Sequence, residues 1–154
     1  MSDIVREVVY PHPPEMVWRA LTEPAALAAW LMPNDFHPEV GHKFQFRVPK
    51  PPRGWRGIVD CEVLVVEPPR RLAYTWQGDP KHRPTKVTWT LEPVADGTRL
   101  RLEHTGFRGV GGFLLRWMLG SGWGRMLRII LPSVVEQLAA GREPTAGITN
   151  TSCR

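Results

Sequence analysis

Apolar residues recur at two spacings along the chain: every second residue through its middle, every third or fourth towards its ends. Residues 4–10, Ile-Val-Arg-Glu-Val-Val-Tyr, are rich in β-branched side chains and predict a first strand, although either face could be the inner one. Pro11, Pro13 and Pro14 end it. A helix is predicted from about Pro14, because proline is tolerated in a first helical turn, with Met16, Val17, Ala20 and Leu21 as its apolar stripe. Thr22-Glu23-Pro24 breaks and restarts it, and a second short helix runs through Leu27 and Trp30. Two short helices are therefore expected between residues 14 and 32.

Strict alternation follows. Phe44, Phe46 and Val48 oppose Lys43, Gln45 and Arg47. Val59, Cys61, Val63 and Val65 oppose Asp60 and Glu62. Leu72, Tyr74 and Trp76 oppose Ala73, Thr75 and Gln77. Val87, Trp89 and Leu91 oppose Lys86, Thr88, Thr90 and Glu92. Leu100, Leu102 and His104 oppose Arg99, Arg101 and Glu103. Prolines and glycines punctuate these runs, and Asp96-Gly97 is a strong hairpin signal. Several consecutive strands of period two predict an antiparallel sheet with one buried face.

After Gly106 the period lengthens again. Phe113, Leu114, Trp117 and Met118 sit at helical spacing, between Gly109, Gly111 and Gly112 on one side and Gly120 on the other, and residues 107–122 read as a helical flap or a plain packed connection. Trp123, Leu127, Ile130, Leu131, Val134, Val135 and Leu138 then form one long apolar stripe. Pro132 interrupts this helix and is expected to kink it near Arg128, whose carbonyl loses its partner. Gly141 closes it, and residues 142–154 are polar and aperiodic, as in a disordered tail. The fold class is α+β: a curved antiparallel sheet of about six or seven strands wrapped around a long C-terminal helix, with two short helices after the first strand. Residues 1–141 make a single domain.

The predicted inner face is rich in rings: Phe44, Phe46, Tyr74, Trp76 and Trp89 from the sheet, Trp123 from the helix, and Trp117 and Phe113 from the segment before it. Val59, Cys61, Val63, Val87, Leu102 and Leu127 complete the lining. Rings at strand spacing are ordinarily core, but so many on a concave sheet are not expected to interdigitate fully with one helix. An empty cavity costs about 24 cal/mol per Å³, so an enclosed space is a reason to expect a ligand. Burying about 200 Å² of apolar ligand gives roughly 5 kcal/mol before losses of freedom, so tight binding needs polar contacts as well. His104 and Tyr74 are the inward polar groups placed to supply them; a buried His104 is expected to be neutral.

Composition narrows the classes further. The chain has 154 residues, 42% hydrophobic and 23% charged, as in ordinary globular domains. No stretch approaches the roughly 18 apolar residues of a membrane span, and no secretory leader is visible at the N-terminus. Two cysteines, Cys61 and Cys153, suggest no disulfide framework and fit a reducing cytoplasm. The net charge of +5 invites a nucleic-acid partner, but Arg47, Lys86, Arg99 and Arg101 lie in the register opposite the rings, whereas single-strand readers need charge and rings on one surface. His12, His37, His42, His82 and His104 are scattered without ligand spacing, no serine stands in a nucleophile elbow, and Gly109-Val110-Gly111-Gly112 is not a dinucleotide fingerprint. Neither metal nor cofactor is expected. Asp60, Glu62, Glu92 and Glu103 fall outward, so no strand carboxylate orients His104.

The ordered set of motifs resembles one superfamily. Pro13-Pro14-Glu15-Met16-Val17-Trp18-Arg19-Ala20-Leu21-Thr22 and Leu27 to Trp30 resemble the opening of the START-like, or SRPBCC, superfamily. Gly57-Ile58-Val59, the Glu67-Pro68-Pro69-Arg70-Arg71-Leu72-Ala73-Tyr74-Thr75-Trp76 turn and strand, Gly97-Thr98-Arg99-Leu100, His104-Thr105-Gly106-Phe107 and Gly122-Trp123 resemble the heat-shock-protein ATPase activator homologues within it. The likeness spans about residues 4–140. It implies a helix-grip fold with a deep hydrophobic cavity, of the kind that in relatives binds lipids, polyketides, hormones or other small apolar molecules and in some is a cyclase or aromatase-like enzyme. The chain departs from the activator proper in showing no additional domain. The leading expectation is a carrier or sensor of a small apolar ligand. The alternatives are a cyclase- or hydratase-like enzyme using His104 and Tyr74, and a chaperone-contacting module.

Overall fold

A computed structural model describes residues 4–51, 53–107 and 122–144. Strand β1 (Ile4–Tyr10) leads into helices α1 (Pro14–Thr22) and α2 (Pro24–Trp30), then into β2 (Lys43–Arg47), β3 (Ile58–Glu67), β4 (Arg71–Trp76), β5 (Thr85–Val94) and β6 (Gly97–Thr105). Residues 122–139 form the last helix, α3. Each short helix starts with a proline in its first turn, as expected from the fixed φ and missing N–H of that residue. The six strands make one antiparallel sheet in the order β1-β6-β5-β4-β3-β2, so β1 and β2 are its edges. The α+β architecture expected from the alternation is present, in the helix-grip arrangement that the resemblance implies.

Register settles the faces. In β1 the buried ends are Ile4 and Tyr10, while Val5 and Val9 are exposed. In β5 and β6 alternate residues are buried without interruption from Thr85 to Leu91 and from Thr98 to His104. One expectation fails. Val65 does not share the face of Val59, Cys61 and Val63, because a bulge between Val63 and Val65 shifts the register. Val66 packs against the core in its place, opposite Leu72. An extra residue on one strand exchanges the two faces beyond it. Val48 falls just past β2 and is half-buried.

The terminal helix corrects a second detail. It does not simply kink at Arg128. Over Met126–Ile130 it widens to a π turn, and α-helix resumes at Leu131–Ala139. Leu131 N–H donates to the carbonyl of Met126, five residues back. In that register the next donor, at Pro132, would serve the Leu127 carbonyl, and proline has no N–H. The buried Tyr10 hydroxyl takes over, donating to the Leu127 carbonyl at 2.6 Å. The orphan carbonyl has thus moved from Arg128 to Leu127 and faces inward, where a strand side chain reaches it.

Gly97 makes the position of Tyr10 available. Its φ is +148°, and a Cβ there would lie 1.9 Å from the Tyr10 carbonyl oxygen, so the β5–β6 hairpin can sit against the end of β1 only with glycine at this place.

The α3 arrangement predicts a coupled pair of variants. Tyr10→Phe leaves the Leu127 carbonyl buried without a donor and should lower unfolding stability in urea by about 1–3 kcal/mol. Pro132→Ala supplies the missing N–H, so the double variant should lose measurably less than the sum of the two single changes. Strict additivity would show that the two groups do not serve the same carbonyl.

Candidate functional site

The inner face of the sheet is a connected wall of rings under α3. Phe44 and Phe46 stand on β2, Tyr74 and Trp76 on β4, Trp89 on β5, and Trp123 on the first turn of α3, each at most 6% exposed. The ring centroids of Phe44 and Tyr74 are 5.5 Å apart, those of Phe46 and Trp76 5.6 Å, those of Trp76 and Trp123 5.3 Å and those of Trp89 and Trp123 5.6 Å. Trp123 is therefore wedged between two sheet tryptophans. The Phe44–Tyr74 and Trp89–Trp123 pairs meet edge to face, the arrangement that ring quadrupoles favour, and the other two are tilted. Val59, Cys61, Val63, Val87, Leu102 and Leu127 are buried in the same cluster. Phe113 and Trp117, with the flap expected over residues 107–122, lie outside the described residues apart from Phe107 and Gly122.

The expectation that the rings could not all interdigitate is corrected here. They touch in sequence across the sheet, and Trp123 fills the gap between strands. A crevice of about 300 Å³ lies elsewhere, between α1, the start of α2 and the end of α3, with Arg19, Glu23, Leu138 and Arg142 among its walls.

Two rings of the wall escaped the sequence reading as site residues. Trp30, on α2, packs its face and edge against Trp89 at 5.8 Å and donates from Nε1 to the Ala20 carbonyl, which ties α2 to α1. Phe36 lies in the α2–β2 loop, buried, 5.0 Å from Phe44 and 6.3 Å from Tyr74. No period marks a loop residue. The local signal was Asn34, whose Oδ1 accepts the Phe36 N–H and turns that ring inward.

His104 is fully buried, and its hydrogen bonds fix its protonation. Trp123 Nε1 lies 3.0 Å from Nδ1, and an indole N–H only donates, so Nδ1 is an acceptor. The proton must then be on Nε2, which donates to Thr85 Oγ1 at 2.6 Å. Thr85 passes its own proton to the Trp76 carbonyl at 3.0 Å. The chain links α3, β6, β5 and β4. The partners of the imidazole are thus an indole and a hydroxyl. Burial pushes the His104 pKa down to about 3. With its one lone pair occupied and its proton engaged, His104 has no vacancy for acid–base work on a substrate. Thr85 continues the parity of Val87 and Trp89, so its inward position was readable.

Tyr74 is buried among rings, and its hydroxyl accepts from Trp89 Nε1 at 2.9 Å. Burial raises its pKa well above the ordinary phenol value. Burial likewise raises that of the Cys61 thiol, which is therefore not a nucleophile at neutral pH. Among the described residues no group of three or more His, Cys, Asp or Glu side chains could hold a metal ion. On the outer face Arg99 pairs with Glu92 at 2.6 Å and Arg101 with Glu7 at 2.8 Å, so basic residues and rings occupy opposite faces. No helix among the described residues is long and apolar enough to cross a membrane.

The neutral His104 predicts a pH dependence. The unfolded chain takes up a proton at this residue below about pH 6.5 and the folded one only near pH 3. The stabilisation is complete above the upper value and shrinks as pH falls between the two, by about 1.4 kcal/mol per pH unit, because the unfolded state binds the extra proton. His104→Gln can still accept from Trp123 and donate to Thr85 but does not titrate. Urea unfolding at pH 7 and pH 5 should show wild type losing roughly 2 kcal/mol more than the variant. Equal losses would mean that His104 is not held neutral.

The comparisons with known proteins agree with this architecture. The solved structure of protein MLL2253 from Mesorhizobium loti is 40% identical, covering 84% of this chain and 94% of that one, with a TM-score of 0.74. Bacillus halodurans protein BH1534 is 29% identical over 88% of this chain and 97% of its own, at a TM-score of 0.72. CalU16 from Micromonospora echinospora is 26% identical over 81% of this chain and 71% of its own, at 0.66. No curated protein matches the sequence. Residues 11–135 match the family described as Activator of Hsp90 ATPase homolog 1-like protein, and the chain belongs to that family.

Proposed function

We propose that the protein holds a small apolar molecule between the ring-lined face of the sheet and helix α3, as a carrier or sensor rather than an enzyme. The observation that carries this reading is the wall itself: a buried, almost wholly apolar surface drawn from β2, β4, β5 and α2 and faced by helix α3. Entry requires Trp123 to part from Trp76 and Trp89. The turn that follows Trp123 is the one whose backbone has left α-helical register, and π turns of this kind recur at functional sites. Tyr10 holds the free carbonyl of that turn through one hydrogen bond, so the helix can shift there without tearing a regular ladder.

The chemistry favours holding over turnover. The two nitrogens of His104 are both engaged inside the fold, and Tyr74 and Cys61 keep their protons at neutral pH. Replacing contacts between Trp123 and the sheet with contacts to a ligand recovers part of the energy of opening. Burial of about 200 Å² of ligand contributes roughly 5 kcal/mol before the loss of ligand freedom, which places a purely apolar ligand at micromolar affinity or weaker.

Native mass spectrometry of freshly purified protein should reveal a co-purifying small molecule, removable by organic extraction. The extracted protein should bind anthracene with quenching of tryptophan emission, and Leu127→Glu, which sets a charge against the wall, should abolish that quenching. A bare chain mass together with emission that anthracene leaves unchanged up to its solubility limit would sink the proposal.

A further inference from the structure

The positive charge of the chain gathers at one end of the sheet. Residues 48–57, between β2 and β3, and residues 77–84, between β4 and β5, contain Lys50, Arg53, Arg56, Lys81 and Arg83 but a single carboxylate, Asp79. That is an excess of four in a chain whose net charge is +5. Arg56 is paired, 2.6 Å from Asp60 at the start of β3. Lys50, Arg53, Lys81 and Arg83 are exposed and meet no carboxylate among the described residues. The opposite end of the sheet is balanced. Residues 67–71 and 92–99, around the β3–β4 and β5–β6 turns, hold three cations and three carboxylates, with Arg71 4.0 Å from Glu67 and Arg99 2.6 Å from Glu92.

The two basic loops are held side by side. Asp60 and Gln77 exchange both backbone hydrogen bonds at 2.9 Å, and the Trp55 indole donates to the Gly78 carbonyl at 2.9 Å. Each loop is also braced within itself. The Val48 N–H donates to the Gly57 carbonyl at 2.8 Å, and a Cβ on Gly57, whose φ is +80°, would lie 2.8 Å from the Pro51 side chain. Gln77 Nε2 donates across the second loop to the His82 carbonyl at 2.7 Å. The cations thus stand on a preformed rim. Its tip projects, because a Cβ on Gly54 would meet nothing within 4 Å. Like charges gathered in this way repel, and an anionic partner relieves that repulsion.

The form of the rim and its one ring select the partner. Readers of single-stranded nucleic acid present a charged groove in which successive bases stack on several rings. Here a single ring, Trp55, sits half-buried beside the charges, and the cations stand on projecting loops. Such loops can meet a plane of headgroups together, and tryptophan favours the boundary between headgroups and apolar layer. We infer that these loops dock the protein on the surface of an anionic phospholipid bilayer, with Lys50, Arg53, Lys81 and Arg83 against lipid phosphates and Trp55 at the headgroup level. The contact is peripheral, and it requires nothing to be bound between the sheet and α3.

Co-sedimentation with vesicles tests this. At about 0.1 M salt, wild type should bind vesicles of about three parts phosphatidylcholine to one part phosphatidylserine and should ignore pure phosphatidylcholine. It should be released at about 0.5 M salt, where screening is stronger. Lys81→Ala with Arg83→Ala should weaken the partition about 10- to 30-fold, and Lys50→Ala with Arg53→Ala should do the same from the neighbouring loop. The urea midpoints of both should match wild type, because the four side chains are exposed and unpaired among the described residues. Arg70→Ala with Arg71→Ala removes equal charge beyond the far end of β4, about 17 Å away and more than one Debye length at that salt, and should change the partition by less than about 3-fold. Failure to bind the anionic vesicles, or binding that both loop variants leave unchanged, overturns the inference. So does an oligouridylate of about 20 nucleotides that binds wild type and not the loop variants while the vesicles are ignored, which would give the rim to nucleic acid. Neither result touches the holding role, which anthracene binding tests separately.

Discussion

The structure depends on finding partners for polar groups that the packing of rings forces out of water. A wall of indoles cannot be assembled without burying N–H groups, and the fold pairs those of Trp30, Trp89 and Trp123 one at a time. Trp123 is the clearest case. Its N–H goes to His104, the histidine proton to Thr85 and the threonine proton to the Trp76 carbonyl, so one chain of three bonds runs from the helix across three strands. Each link has only one workable direction, because the indole cannot accept. This is what fixes the seating of α3 over the sheet. Apolar packing alone is tolerant of sliding, whereas a directional chain of buried donors and acceptors is not.

The same requirement explains the backbone of α3. A proline within a helix removes one donor, and the carbonyl it abandons must be satisfied wherever it points. Widening to a π turn places that carbonyl at Leu127, within reach of Tyr10. Tyr10 reaches it because it ends β1 on the inner face, and the end of β1 fits there because Gly97 carries no side chain. Residues far apart in sequence thus share one local problem.

Much of this was legible in the sequence. Period-two alternation places the inner faces of β4, β5 and β6 correctly, because in an antiparallel sheet with one dry side parity alone decides which way a side chain points. The wall residues Phe44, Phe46, Tyr74, Trp76 and Trp89 follow directly. Parity fails where the chain adds a residue, as at Val63–Val65, because nothing in a run of valines marks a bulge. Trp30 and Phe36 lay outside the strand pattern, and their place on the wall comes from tertiary packing that no local period encodes. Pro132 announced trouble in the helix, but whether a freed carbonyl produces a kink or a π turn depends on which donor waits opposite, here a tyrosine more than a hundred residues earlier.

The π turn also bears on how such a chain could have diverged. A widened turn of this kind amounts to one surplus residue within an otherwise ordinary helix. A sister sequence shorter by a single position between 126 and 130, and without the proline at 132, could wind as uninterrupted α-helix and still present Trp123 on one side of the gap and Val134 on the other to the same sheet. Its Tyr10 hydroxyl would then be free to vary, so that length at one locus and aromatic identity at another, remote one would be expected to change together across lineages.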